Sequence, residues 1–179
     1  MIYVFLAEGF EETEAITPID MLRRCGKEVL TVGVTGKVVR GSHNIPVECD
    51  ITIDEADVGG LEMIVLPGGM PGTLNLGADE TVDKVIREFA AAGKLVSAIC
   101  AAPSVLGQAG LLEGKKATCH PGFEDKLLGA AWLEEPVVVD GNIITSRGMG
   151  TAIAFALEIV RYFADDESVE KIKTGLVYR

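Results

Sequence analysis

The chain has 179 residues, of which 48% are hydrophobic and 24% are charged, a composition typical of a globular protein rather than of a disordered chain or a coiled coil. The net charge of −11 repels phosphate groups and no cluster of Lys or Arg interrupts it, so we expect no nucleic-acid partner. No apolar run reaches the roughly 20 residues of a membrane-spanning helix. The first apolar run lacks a basic leader and is followed by acidic residues, which favours a cytoplasmic protein that does not bind a membrane.

The first third of the chain alternates between strand and helix patterns. Residues 2–7 form a short apolar run that predicts a buried strand, and residues 12–25 have helical spacing of apolar side chains up to Gly26. Residues 28–34 predict a second strand. Turn-forming residues separate short alternating runs over 35–53, which indicates a hairpin excursion.

The same alternation continues to the end of the chain. The run 62–66 predicts a strand, a helix of about 12 residues begins at Asp79 or Thr81 and ends near Gly93, and 95–99 predicts the next strand. The remaining predicted elements are a helix over 101–109, an extended segment over 117–119, a short helix over 122–128, strands over 136–139 and 142–146, and helices over 149–164 and 166–174.

This order of elements indicates an α/β fold. Strands rich in Val, Ile and Leu that alternate with helices predict a mainly parallel sheet covered on both faces. No linker or repeat divides the sequence, so we expect a single domain over residues 1–179. Ligands of such sheets bind beyond the carboxyl ends of the strands. The residues at those positions are 8–14, Gly68, Gly69, Cys100 and His120.

Cys100 lies where a buried strand is followed by a helix. Ala101 and Ala102 are small enough for a sharp turn, and Pro103 suits the first helical turn because it lacks an N–H. This strand–turn–helix corner is the arrangement that raises a nucleophile above a sheet. Backbone N–H groups at a helix start favour a thiolate. The alternative is a buried structural cysteine, which is the usual state of a free cysteine.

Three residues are candidate partners for Cys100 on position alone. The backbone N–H groups of Gly69 and Ala101 are placed to form an oxyanion hole for a carbonyl group that Cys100 attacks, although a Pro-Gly-Gly turn is also common without any function. His120 is a candidate base or proton shuttle, with a structural histidine as the alternative.

Glu14 is a candidate because of an irregularity next to it. Pro18 cannot donate the helical hydrogen bond to the Glu14 carbonyl, so we expect the first helix to be broken or bent there. Acidic residues at a helix start otherwise only offset the helix dipole.

The four cysteines and two histidines suggest no metal site. The six residues are scattered along the chain, at Cys25, His43, Cys49, Cys100, Cys119 and His120. No CxxC motif or other short ligand spacing is present, so we expect reduced thiols and no bound metal.

The motifs that contain these residues resemble a known family. The matching stretches, in order, are AEGFEETEAITPIDMLRRCGKEV, VLPGGMPGTLNL, AICAAPSVLGQAGLLEGKKAT, TCHP and ITSRGMGTAIAFALEIV. They are similar to the ThiJ/PfpI superfamily, and within it to the branch of human Parkinson disease protein seven, the protein deglycase. The resemblance implies a flavodoxin-like three-layer α/β/α sandwich, as in class I glutamine amidotransferases. It also implies a homodimer and chemistry that needs no cofactor.

The resemblance implies roles for particular residues. Cys100 corresponds to the reactive cysteine, Glu14 to the glutamate that hydrogen-bonds its thiol, and His120 to the family histidine. Gly69 and Ala101 correspond to the oxyanion amides. The remaining matches are Gly68 and Arg147 near the cysteine pocket, where the arginine would bind an anion, and Asp20 and Arg24 near a dimer contact.

The sequence departs from the family pattern at three places. Ala101 follows the cysteine where the protease-like branch has His, which argues against a Cys–His protease dyad. His43 aligns with a pocket arginine of the deglycase branch, and Cys119 replaces a common Thr.

A carboxyl group and a thiol that share a proton titrate as a pair. A protonated Glu14 donates to a thiolate, whereas an ionised Glu14 repels it. We therefore predict a raised pKa for Glu14 and a lowered pKa for Cys100.

Three functions are compatible with these residues. The first is a cofactor-free glyoxalase or deglycase in which Cys100 attacks small α-oxoaldehydes such as methylglyoxal, or early glycation adducts. The second is a redox sensor or chaperone-like protein of oxidative stress, because an exposed low-pKa thiol oxidises readily. A peptidase or amidase of the PfpI type ranks below both.

Overall fold

The computed structural model describes residues 1–178, which contain eleven strands and six α-helices. Their bounds are β1 (Ile2–Leu6), α1 (Glu12–Arg24), β2 (Val29–Gly33), β3 (Val38–Arg40), β4 (Pro46–Glu48), β5 (Ile51–Thr52), β6 (Met63–Leu66), α2 (Gly72–Ala78), α3 (Glu80–Ala91), β7 (Leu95–Ile99), α4 (Pro103–Gln108), β8 (Lys116–Ala117), β9 (Ala131–Trp132), β10 (Val137–Asp140), β11 (Ile143–Ser146), α5 (Ala152–Arg161) and α6 (Asp166–Gly175). No helix in this part of the chain is long and apolar enough to cross a membrane.

Seven strands form the central sheet, in the spatial order β10-β11-β7-β6-β1-β2-β5. Every neighbouring pair is parallel except β10 and β11, which are antiparallel. Helices cover both faces, so the fold is the expected flavodoxin-like three-layer α/β/α sandwich. The hairpin predicted within 35–53 is present as the antiparallel pair of β3 and β4.

Side chains of the central strands alternate between two apolar clusters. In β1, Tyr3 and Phe5 belong to the cluster beneath α2, α3 and α4, whereas Ile2, Val4 and Leu6 belong to the cluster beneath α1, α5 and α6. A strand that is apolar at every position therefore satisfies both faces of the sheet, as a buried parallel strand requires.

Pro18 does not break α1, contrary to the sequence expectation. The helix runs without interruption from Glu12 to Arg24 with Pro18 inside it. The buried side chains of Ile19 and Leu22 anchor this helix in the apolar cluster that it shares with α5. Packing of an apolar face stabilises a helix more than any one backbone hydrogen bond, so the missing bond is tolerated.

Several predicted helices have different bounds in the structure. The helix expected over 101–109 begins only at Pro103, after a turn. The helix expected over 122–128 is a single 3₁₀ turn at Glu124–Lys126, and the helix expected from 149 starts with a 3₁₀ turn before Ala152. In each case the first residues tighten into a turn where the chain changes direction.

The helix α2 is absent from the sequence prediction. Its first residue follows Pro71, which offers no capping side chain, and two of its seven residues are Gly72 and Gly77. Glycine disfavours a helix, so local propensity gives no signal here. Tertiary packing stabilises this helix instead, because Leu76 is fully buried in the core.

Candidate active site

The carboxyl ends of neighbouring strands are joined by backbone hydrogen bonds at one edge of the sheet. The N–H of Glu11, after β1, donates to the Gly68 carbonyl after β6 at 2.9 Å. The N–H of Cys100, after β7, donates to Ser146 at the end of β11, also at 2.9 Å. The Cys100 carbonyl accepts from the N–H of His120 at 2.8 Å. The structure therefore brings together the segments that the sequence placed at the strand ends.

Cys100 adopts a strained backbone conformation at the corner between β7 and α4. Its φ is 66°, a left-handed value that residues other than glycine rarely adopt. Such strain is characteristic of a nucleophile held above a sheet. The helix α4 has only six residues and begins three positions later, so the amides nearest the sulfur belong to the turn.

Two backbone amides are directed at the Cys100 sulfur. The N–H groups of Gly69 and Ala101 hydrogen-bond it, and both interactions favour the thiolate. These are the two residues that the sequence assigns to an oxyanion hole. They converge because Gly69 has a φ of 92° and lies against the backbone of Glu11, where a Cβ would lie 2.3 Å from the Glu11 nitrogen.

Glu14 lies next to the sulfur and is almost fully buried, with 1% exposure. Its carboxyl group hydrogen-bonds the Cys100 thiol. The Gly68 N–H donates to Glu14 Oε2 at 3.0 Å, and the Met149 N–H also donates to this carboxyl group. Gly68 leaves just enough room, because a Cβ there would lie 2.6 Å from both Cys100 Cβ and Glu14 Oε2.

The two partners of this pair have strongly shifted pKa values. Burial raises the pKa of Glu14 to about 7, against the hydrogen bonds from Cys100 and Gly68 that lower it. Burial, followed by the charge of Glu14, raises the pKa of Cys100 to about 12. The prediction for Glu14 is confirmed, and the prediction of a lowered pKa for Cys100 is wrong in direction.

Burial is the main reason, and the charge of Glu14 is the second. Because that charge contributes to the raised pKa of Cys100, the two groups titrate as a coupled pair. The pair loses its first proton near pH 7 and its second at a much higher pH. Between these two steps one proton and one negative charge remain on the pair.

His120 is exposed and oriented by its neighbour. Its Nδ1 lies 2.9 Å from the Pro121 carbonyl, so Nδ1 carries a proton there and Nε2 is left as the acceptor in the neutral ring. The ring also packs edge-on against Phe123. The backbone bond to Cys100 places His120 beside the site, as predicted from the sequence.

Arg147 is adjacent to the site in sequence, but its guanidinium group is paired elsewhere. Nη1 lies 3.0 Å from Glu134 Oε1. Burial raises the pKa of Cys119 to about 11, and the charge of Arg147 offsets only part of this. Cys119 is fully buried in the cluster beneath α2, α3 and α4, whereas Cys100 packs against the opposite cluster. Binding of an anion by Arg147 stays a prediction.

Asp20 and Arg24 form an exposed ion pair on α1, with Arg24 Nε 2.6 Å from Asp20 Oδ2. A contact between these residues and a second subunit stays a prediction.

A group of side chains that the sequence analysis did not connect lies beside the site. His43 Nδ1 is 3.1 Å from Glu12 Oε2 and 3.6 Å from Glu11 Oε2. Among residues 1–178 it is the one group of three potential metal-ligating side chains in close proximity. Gly41 admits the Glu12 carboxylate, because a Cβ there would lie 2.2 Å from it. Only the tertiary fold brings positions 11 and 43 together.

Replacement of Gly68 by Ala tests how tightly the pair is packed. The added methyl group must displace Glu14 or Cys100. Loss of the hydrogen bond from the Gly68 N–H to Glu14 would cost about 1–3 kcal/mol of interaction free energy. We expect iodoacetamide to alkylate Cys100 at least about tenfold more slowly in Gly68→Ala. Gly77→Ala is the matched control, since its nearest contact would be an ordinary 3.4 Å. Equal slowing of both variants would contradict the packing argument.

The raised pKa of Glu14 predicts how stability depends on pH. The folded chain binds this proton more tightly than the unfolded chain, so the free energy of unfolding falls as pH rises from about 4.5 to about 7. The upper limit of this loss is about 3 kcal/mol. Urea unfolding of the wild type and Glu14→Gln at about pH 5 and about pH 8 measures it, because Gln does not titrate. An unchanged pH dependence in Glu14→Gln would refute this assignment.

Comparison with known proteins identifies the family of this chain. The sequence pattern of the DJ-1/PfpI family matches residues 1–162. Protein dj-1beta of Drosophila melanogaster is 37% identical over 177 residues, which cover 97% of this chain and 95% of that protein. Deglycase PfpI of Pyrococcus furiosus is 35% identical over 158 residues, which cover 87% and 94%. The structure of Toxoplasma gondii DJ-1, described as oxidized, has a TM-score of 0.94 and 36% identity, with 99% of this chain and 97% of that chain covered. The chain belongs to the DJ-1/PfpI family.

Proposed function

We propose that this protein is a cofactor-free deglycase or glyoxalase in which Cys100 attacks α-oxoaldehydes such as methylglyoxal, and the adducts that they form with proteins. A relative that this chain nearly spans is named a deglycase. The observation that supports the proposal most is the buried pair of Glu14 and Cys100, which shares one proton near neutral pH.

The reactive form is the one with the proton on Glu14 and the charge on sulfur. The thiolate adds to the aldehyde carbon, and the carbonyl π electrons move to oxygen. The N–H groups of Gly69 and Ala101, which surround the sulfur, stabilise that oxygen as charge develops on it. Glu14 then gives its proton to the oxygen, and the product is a hemithioacetal.

The hemithioacetal rearranges by proton transfer alone. The Glu14 carboxylate removes the hydrogen from the former aldehyde carbon, and a proton returns to the neighbouring carbon. This leaves a lactoyl thioester on Cys100. Water attacks the thioester carbon, the carbon–sulfur bond breaks, and lactate leaves as the thiolate is restored. The attacking water gives its proton to Nε2 of His120, because Nδ1 is already bonded to the Pro121 carbonyl.

Turnover of methylglyoxal tests the proposal. We expect the wild type to release lactate and Cys100→Ser to lose at least about 100-fold in rate, because a hydroxyl is far harder to ionise than a thiol. Cys119→Ser is the matched control, since it removes a buried thiol from the opposite apolar cluster. No release of lactate above that in buffer by the wild type, or equal release by Cys100→Ser, would refute the proposal.

A redox sensor is the second candidate function. Cys100 is partly exposed and hydrogen-bonded to the carboxyl group of Glu14, whereas Cys49 and Cys119 are buried. A similar structure, that of Toxoplasma gondii DJ-1, is described as oxidized. Thiolate character and exposure both favour oxidation by peroxide.

Mild peroxide treatment followed by mass spectrometry tests this second function. We expect two oxygen atoms to appear on Cys100 before any appear on Cys25, Cys49 or Cys119. Cys25 is the internal control, because it is partly exposed like Cys100 but its thiol bonds to the Leu22 carbonyl rather than to a carboxyl group. Oxidation of Cys25 at the same rate as Cys100 would exclude a dedicated sensor.

A further inference from the structure

The reacting pair is next to a poorly exposed carboxylate that the mechanism does not use. The N–H of Glu11 bonds to Gly68, which itself donates to Glu14, so Glu11 is one backbone contact away from the pair. The Glu11 side chain is only 15% exposed, and its charge helps raise the pKa of Glu14. A carboxylate this poorly solvated acts on its surroundings with little screening.

Two basic side chains near the site are paired with carboxylates. His43 lies between Glu11 and Glu12, so even a protonated imidazole leaves this group with one net negative charge. Arg147 is ion-paired with Glu134 at 3.0 Å. Neither side chain is a free cation for a ligand that approaches Cys100.

We propose that Glu11 and Glu12, with His43 held between them, make the site selective for uncharged or cationic carbonyl compounds and against anionic ones. This inference rests on the proposed function only for the reactivity of Cys100. Among α-oxoaldehydes, the negative charge at the site favours methylglyoxal over compounds that carry a carboxylate or a phosphate. It also favours adducts that keep a positive charge over adducts that carry a negative one.

A pair of alkylating reagents measures this selectivity without turnover. Iodoacetamide is neutral and iodoacetate is anionic, and both are similar in size. In each reaction the thiolate attacks the methylene carbon, the carbon–iodine bond breaks, and iodide leaves with the bonding electrons. The ratio of the two rates cancels the fraction of thiolate, so it reports only the charge that the reagent meets.

We expect the ratio of the iodoacetamide rate to the iodoacetate rate to be roughly tenfold higher at Cys100 than at the cysteine of a short unstructured peptide. One net charge at about 10 Å produces an effect of this size at an effective dielectric constant of about 20. The excess should disappear at about 1 M salt, where the Debye length is about 3 Å.

Variants identify the source of the selectivity. Glu11→Gln removes the charge while keeping the shape, and His43→Arg adds a permanent cation, so both should lower the excess ratio several-fold. Glu88→Gln makes the same change on α3, at an exposed position, and should leave the ratio unaltered. An excess that is absent at low salt, or that persists in both Glu11→Gln and His43→Arg, would overturn the inference.

The outcomes also separate this inference from the proposed function. A raised ratio without any release of lactate from methylglyoxal would refute the enzyme and keep the charge selectivity. Lactate release with a ratio equal to that of the peptide would keep the enzyme and refute the selectivity.

Discussion

A carboxyl group and a thiol that are packed against each other determine the electrostatics of the candidate site. Glu14 has 1% exposure, so water hardly solvates its charge, and Cys100 beside it is only partly exposed. Burial, followed by repulsion from an ionised Glu14, is why the second proton of the pair leaves only at a much higher pH. The backbone amides of Gly69 and Ala101 stabilise the remaining charge when it is on sulfur.

The fold creates this pair by making parallel strands end at one edge. Glu14 comes from α1, Cys100 from the corner after β7, and the amide of Met149 from the turn after β11. None of these segments is close to the others in sequence. The strain at Cys100 and the missing side chain at Gly68 are both conditions for the approach. Packing of the two apolar clusters on either side of the sheet stabilises the fold and so holds the strained backbone in place.

The sheet and the position of Cys100 could be predicted from the sequence, because apolar periodicity and position at strand ends are local signals. The role of Glu14 followed from the family resemblance, since the break expected at Pro18 is absent. The continuous helix through Pro18 could not be predicted, since packing against α5 overrides the lost hydrogen bond. The direction of the Cys100 shift required the burial and the charge of Glu14, which are properties of the folded chain. The contact of His43 with Glu12 likewise exists only through the tertiary fold, because 31 positions separate them.

The placement of Cys119 has a consequence for repair of an oxidised site. Its thiol is fully buried in one apolar cluster while Cys100 packs against the other, so an internal disulfide would require one of them to leave its cluster. Cys119 is therefore not placed to resolve a sulfenic acid on Cys100 in this arrangement. Thiols supplied by other molecules offer one route back to the reduced state, and further oxidation of the sulfenic acid competes with them.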